Sequence, residues 1–218
     1  MEFKILADAS RKLSQFTTQR FMCDASRLIV LDGAAHIAEK LGAKCYTLIG
    51  DFDSITPLVL KQLSCQENIQ VIDVPDQEHS DLDKGIMFCC QHDAKSIQIY
   101  NALGGDRVDH TILNLGLLKR FFDVKRQIIM FDKKQKIQYV HNAKVTIHGK
   151  RKQNVAVMPL HEALVHSSGL TYNMQNLRLR TSYRESSSNS LAHEVAYICI
   201  QGDSLIITDL TCDVKIEY

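Results

Sequence analysis

The chain has 218 residues, 45% of them hydrophobic and 23% charged, an ordinary globular composition that excludes a disordered or collagen-like polymer. Lysine and arginine number 26 against 25 aspartates and glutamates, so the net charge of +1 points to no nucleic acid and no membrane as partner. No apolar stretch reaches the roughly 18 residues a bilayer span needs, the N-terminal MEFKILADASRKL lacks the apolar run of a secretory signal, and the 7 cysteines without a CxxC pair read as reduced thiols of a cytoplasmic protein.

LIVL at 28–31 is a short apolar run that suits a buried parallel strand. A helical pattern follows through Ile37, Ala38 and Leu41, with Gly42 as its stop. CYTLI (45–49) predicts the next strand. A helix over 57–65, a strand at IQVIDV, a helix over 81–92 and a strand at SIQIYNAL come next. A helix over 110–122 and a strand at QIIMF (127–131) complete the series. Repeated β-α-β units of this kind predict a mostly parallel sheet with helices on its faces, a Rossmann-like α/β domain over 1–134.

The rest of the chain reads differently. FDKKQK marks the seam. Beyond it KVTIH, VAVM, LRLRTS, VAYICI, SLIIT and VKIEY alternate apolar and polar residues, separated by HGK, HSSG, ESSSNS and QGD as turns. No helical period occurs there. The pattern predicts an antiparallel β-sandwich over 135–218.

Four polar loops each follow a predicted strand of the first domain: DGAAH, GDFDSI, PDQEHSDLDKG and GGDRVDH. In a parallel sheet such loops emerge at the carboxyl ends of the strands, where open α/β sheets bind ligands. Asp32, Asp51, Asp53, Gln77, Asp81, Lys84, Arg107 and Asp109 are therefore expected to converge. Carboxylates clustered without His or Cys suit a hard cation, magnesium before zinc. Lys84 and Arg107 supply the positive charge a polyphosphate requires. The set adds up to a phosphoryl-transfer site. Ser80 and Asp83 have the S-x-x-D spacing of a capping box, which favours Asp81 over Asp83 as a site residue. Asp32 can equally cap the helix that follows it. Neither a P-loop nor a GxGxxG fingerprint occurs. These residues alone leave a metal-dependent phosphohydrolase, or a non-catalytic nucleotide binder, open beside a transferase.

With DGAAH, GDFDSI, DQ-x-x-SD-x-x-K and GG-x-R-x-DH in this order, and SSGLTYNM and SSSN in the second domain, the chain resembles the thiamin pyrophosphokinase family. The resemblance covers nearly the whole chain. It implies transfer of a pyrophosphoryl group from ATP to the hydroxyl of thiamine, with Mg2+, giving thiamine diphosphate and AMP. It implies an α/β nucleotide domain followed by a β-sandwich. It implies a homodimer that binds thiamine between the first domain of one subunit and the second domain of the other. By position, Asp51, Asp53 and Asp81 are the expected metal ligands, and Lys84 and Arg107 join them as catalytic residues. Asp32, Gly33, Gln77 and Asp109 are expected at the nucleotide or its phosphates. Tyr172, Ser186, Ser188 and Asn189 are expected at thiamine. Ala34 and His36 stand where the family usually has glycine and asparagine.

Overall fold

The computed structural model describes residues 1–10, 13, 18–19, 27–75 and 78–218. They form two compact units, Met1–Lys133 and Lys134–Tyr218.

The first unit contains β1 (Glu2–Leu6), β2 (Arg27–Leu31), α1 (Ala35–Lys40), β3 (Thr47–Gly50), α2 (Pro57–Ser64) and β4 (Gln70–Asp73). It continues with α3 (Asp81–Gln91), β5 (Ser96–Tyr100), α4 (Val108–Arg120) and β6 (Gln127–Phe131). Within this unit the strand order is β6-β5-β1-β2-β3-β4, and every pairing is parallel. The chain steps outward from β1 to β4, then crosses back to β5 on the other side of β1. The order thus reverses between β1 and β5, and the crevice beyond their carboxyl ends is where such sheets take ligands.

The pivotal strand β1 is the one the apolar pattern does not predict, because Lys4 breaks the run FKIL. In the fold Phe3, Ile5, Leu6 and Lys4 itself are all buried. The predicted helices and remaining strands are present with ends within three residues of those expected, and QIIMF is matched at both ends by β6. Gly42 ends α1 as expected. At φ +62° it donates to the carbonyl of Glu39 while Ala43 donates to that of Ala38, the paired bonds of a Schellman turn. Ser80 caps α3 by accepting from the N–H of Asp83 at 3.3 Å. The reciprocal half of the capping box is absent, however. The buried Asp83 carboxylate instead accepts from Arg120 of α4 at 2.7 Å, which ties the start of one helix to the end of the other.

The second unit is antiparallel throughout. Its frame is three long strands, β7 (Gln135–His148), β8 (Asn154–Ser168) and β11 (Val195–Asp209), with β11 paired along most of its length to both others. The short strands β9 (Leu177–Arg180) and β10 (Ser186–Ser190) pair with opposite ends of β8, and β12 (Asp213–Glu217) pairs with the end of β7. The register of β11 slips at Ile200–Ser204 against both neighbours. Gly202 sits in that slip at φ +111°, where an added Cβ would lie 2.5 Å from the carbonyl oxygen of Glu162. The bulge divides the sheet into two halves built on the same three strands. Val145, Ile147, Val165 and Ile198 from one half and Val140, Val157 and Ile206 from the other belong to one core cluster.

Two predicted turns of this unit are corrected. QGD is not a turn between two strands but the bulge within β11, since a glycine at positive φ serves either purpose. SSSN is not a solvated turn but lies in β10, with its own register slip between Ser186 and Asn189.

Candidate active site

The acidic loops of the first unit meet at one edge. Asp32 opens a 3-10 turn directly after β2, and its side chain caps no helix N–H. Asp51 and Asp53 follow β3. One carboxylate oxygen from each of Asp32, Asp51 and Asp53 lies within 4.8 Å of the others. Two local features produce this. A Cβ on Gly50 would stand 2.5 Å from the Cβ of Asp32, so only glycine lets β3 end against that aspartate. Phe52, at φ 60°, occupies the left-handed region between the two aspartates, a strained place for a bulky residue.

Asp32 is 1% exposed. Burial pushes its carboxyl up to about 6, against a hydrogen bond from the Ser54 N–H, and contact with Asp51 and the charge of Asp81 add to the rise. Its Oδ1 is buried with no hydrogen-bond partner among the described residues. An oxygen-only donor set with a buried oxygen left unbonded fits a hard divalent cation.

Asp81 and Lys84 stand in the first turn of α3. Lys84 is buried, and its Nζ lies 3.5 Å from Asp81 Oδ1. Burial raises the Asp81 carboxyl, Lys84 opposes the rise, and the charges of Asp51 and Asp53 reinforce it. Asp81 therefore feels the acidic cluster electrostatically without being one of its three close members. Lys84 also lines a pocket of about 310 Å³ with Ile49, Ile72, Val74 and Met87.

Arg107 and Asp109 flank the start of α4 as an exposed bidentate pair, with bonds of 2.9 and 2.6 Å. The guanidinium holds the Asp109 carboxyl well below the usual carboxylate range. Gly105, just before them, packs against the chain that follows β1: an added Cβ would fall 1.5 Å from the carbonyl oxygen of Ala9. Asn101, at φ 57°, fastens the same segment, its amide donating to the carbonyls of Ala7 and Ser10. The strand read over SIQIYNAL thus stops at Tyr100, and Asn101 is the one residue there that favours the turn, since asparagine tolerates the left-handed region. Gly33 faces Asp8, whose Oδ2 would lie 2.8 Å from an added Cβ. Asp8 is a further carboxylate at this rim, and nothing in ILADAS marks it. Gln77 lies outside the described residues.

The four remaining candidates belong to the second unit. Tyr172 is 69% exposed and Asn189 4%. The two are joined, with the Tyr172 N–H donating to Asn189 Oδ1 at 3.0 Å and Asn189 Nδ2 donating to the Tyr172 carbonyl at 2.7 Å. Ser188 is exposed and Ser186 half-buried on β10.

Residues 18–130 match the profile of the thiamin pyrophosphokinase catalytic domain. The Caenorhabditis elegans protein thiamin pyrophosphokinase 1 is 30% identical over 165 residues, which are 70% of this chain and 65% of that relative, so slightly less than two thirds of its length is spanned. Thiamine pyrophosphokinase from Bacillus subtilis has the same fold, with a TM-score of 0.84 at 21% identity over 97% of this chain and 100% of that one. The enzyme of that name from Candida albicans gives 0.83 at 17% identity over 95% and 88%. A profile match over more than half of its length, carried on the family's fold, makes the chain a member of the thiamin pyrophosphokinase family.

Proposed function

We propose that the protein transfers a pyrophosphoryl group from ATP to thiamine, giving thiamine diphosphate and AMP, with Mg2+ as cofactor. The thiamine hydroxyl oxygen bonds to the β-phosphorus as the bond from that phosphorus to the α–β bridging oxygen breaks. AMP leaves with that oxygen, and the hydroxyl proton passes to a carboxylate or to water. Little covalent chemistry is asked of the protein, so positioning and charge neutralisation carry the step.

Asp51 and Asp53, with Asp32 beside them and Asp81 at the start of α3, are the residues to hold magnesium. When bound, the ion neutralises phosphate charge and polarises the reacting phosphoryl group. Lys84 and Arg107 take up the charge that grows on the departing bridging oxygen. Asp109 keeps the Arg107 fork oriented for a phosphate. Asp32, Gly33, Gln77 and Asp109 border the nucleotide in this reading. Tyr172 offers an aromatic face to the cationic thiazolium or the aminopyrimidine, and the serines of β10 offer hydroxyls. The active form is a homodimer in which thiamine lies between the first unit of one subunit and the second unit of the other. No helix among the described residues is long and apolar enough to cross a membrane, and we place the reaction in the cytoplasm.

The observation that supports this most is the meeting of three carboxylates from two separate loops, one of them with a buried oxygen that no described residue bonds, in a chain of this family. The test is to incubate the protein with thiamine, ATP and magnesium and separate the products. AMP and thiamine diphosphate are expected in equal amounts. ADP with thiamine monophosphate, or phosphate released without thiamine, overturns the reading.

A further inference from the structure

The Asn189 side chain is fully committed. Its Oδ1 accepts from the N–H groups of Tyr172 and Ser190, at 3.0 and 2.9 Å. Its Nδ2 donates to the Tyr172 carbonyl at 2.7 Å and to Ser186 Oγ at 3.4 Å. A primary amide has two acceptor sites and two N–H donors, so the capacity is used up inside the protein. Binding both the N–H and the C=O of one residue is what a neighbouring strand does. Here a side chain takes that part, and the slip in β10 turns it inward.

The rest of the loop is held in the same way. The Thr171 N–H donates to the Ser190 carbonyl and its hydroxyl meets the Ser190 hydroxyl, both at 2.8 Å. The Leu170 N–H donates to Asn173 Oδ1, and Ser167 and Met174 exchange two bonds. Gly169, at φ +83°, brings the chain so near Val195 that an added Cβ would sit 2.3 Å from its carbonyl oxygen. From this fastened backbone the Tyr172 ring projects into solvent. An exposed aromatic on a pinned main chain loses little further freedom when a flat ligand stacks on it.

We propose that Asn189 is the positioning residue of the thiamine site: it fixes the Tyr172 main chain, and through it the ring, and makes no contact with thiamine itself. This assignment rests on the function proposed above and revises the place that the family resemblance gives to Asn189.

Two measurements test it. Without any substrate, hydrogen exchange at the Tyr172 amide is compared between the wild type and Asn189→Ala. Faster exchange there, with β7 and β11 amides unchanged, is expected; unchanged exchange at Tyr172 overturns the clamp. With substrates, a cycle of Asn189→Ala, Tyr172→Ala and the double variant is assayed. Asn189→Ala should raise KM for thiamine about tenfold while KM for ATP stays put, and the double variant should be no worse than Tyr172→Ala alone. Losses that multiply in the double variant mean that Asn189 contacts thiamine directly and overturn the assignment. If Asn189→Ala does not fold, the same cycle is run with Asn189→Asp, which keeps the acceptor half of the clamp. A wild-type protein that makes no thiamine diphosphate refutes the proposed function, whereas the exchange result still judges the clamp.

Discussion

The acidic edge of the first unit and the Tyr172 loop of the second are opposite solutions to holding polar groups in place. At the edge, three carboxylates crowd together, one buried oxygen has no partner among the described residues, and Phe52 is forced into the left-handed region. In the loop, one asparagine amide is completely hydrogen-bonded and the backbone is fastened at several points. The first arrangement costs the fold stability, and a cation bound there would relieve it. The second stabilises the fold and needs no ligand to be in place. Substitutions should therefore change stability in opposite directions in the two regions.

The largest expected effect is at the edge. Asp53→Asn keeps the shape and removes a charge, and kcat for thiamine diphosphate formation should fall by about 10²–10³ with no loss of thermal stability. Activity within a few-fold of wild type would remove that carboxylate from the reaction. A finer probe is Asp32→Asn. The folded protein holds the Asp32 proton more tightly than the unfolded chain, since its carboxyl is raised from 3.8 to about 6. Its contribution to stability is thus present below about pH 3.8 and lost as pH rises through about 6. In chelator, wild-type Tm should fall more steeply between about pH 4 and 6 than that of Asp32→Asn. Magnesium should restore wild-type Tm at pH 8 and progressively less below pH 6. Parallel pH profiles for the two proteins would show that Asp32 is not the strained group. The smallest effect is expected where the edge is braced from behind. Arg120→Met leaves Asp83 buried without its partner and should cost about 1–2 kcal/mol in urea unfolding, the guanidinium being half exposed. An unchanged midpoint would mean that water replaces the arginine.

Much of the first unit is legible in the sequence because strand, loop and helix alternate with strong local signals, and a loop after a parallel strand has only one end of the sheet to occupy. Asp51, Asp53, Asp81 and Lys84 are found on that reasoning. What escapes it depends on contacts distant in sequence. Lys4 hides β1, since a lysine buried in a central strand is chemically unexpected. Asp32 is expected at this edge, but its place as the third close carboxylate, where the resemblance puts Asp81, depends on the close approach of Gly50. In the second unit local signals mislead for a physical reason. Glycine, serine and asparagine favour turns and bulges alike, so QGD and SSSN look like ends of strands while lying within them. The clamp by Asn189 was not legible, because its partner is 17 residues away and its four bonds fall mainly on the main chain.

Because β7, β8 and β11 each run through both halves of the second unit, neither half owns a complete set of strands. Opening one half would pull strands out of the other, so the unit should melt in a single cooperative transition. Its assembly must wait for pairing between β7 and β11, whose partnered residues lie some 47 to 74 positions apart, and chains dominated by such distant pairings fold slowly.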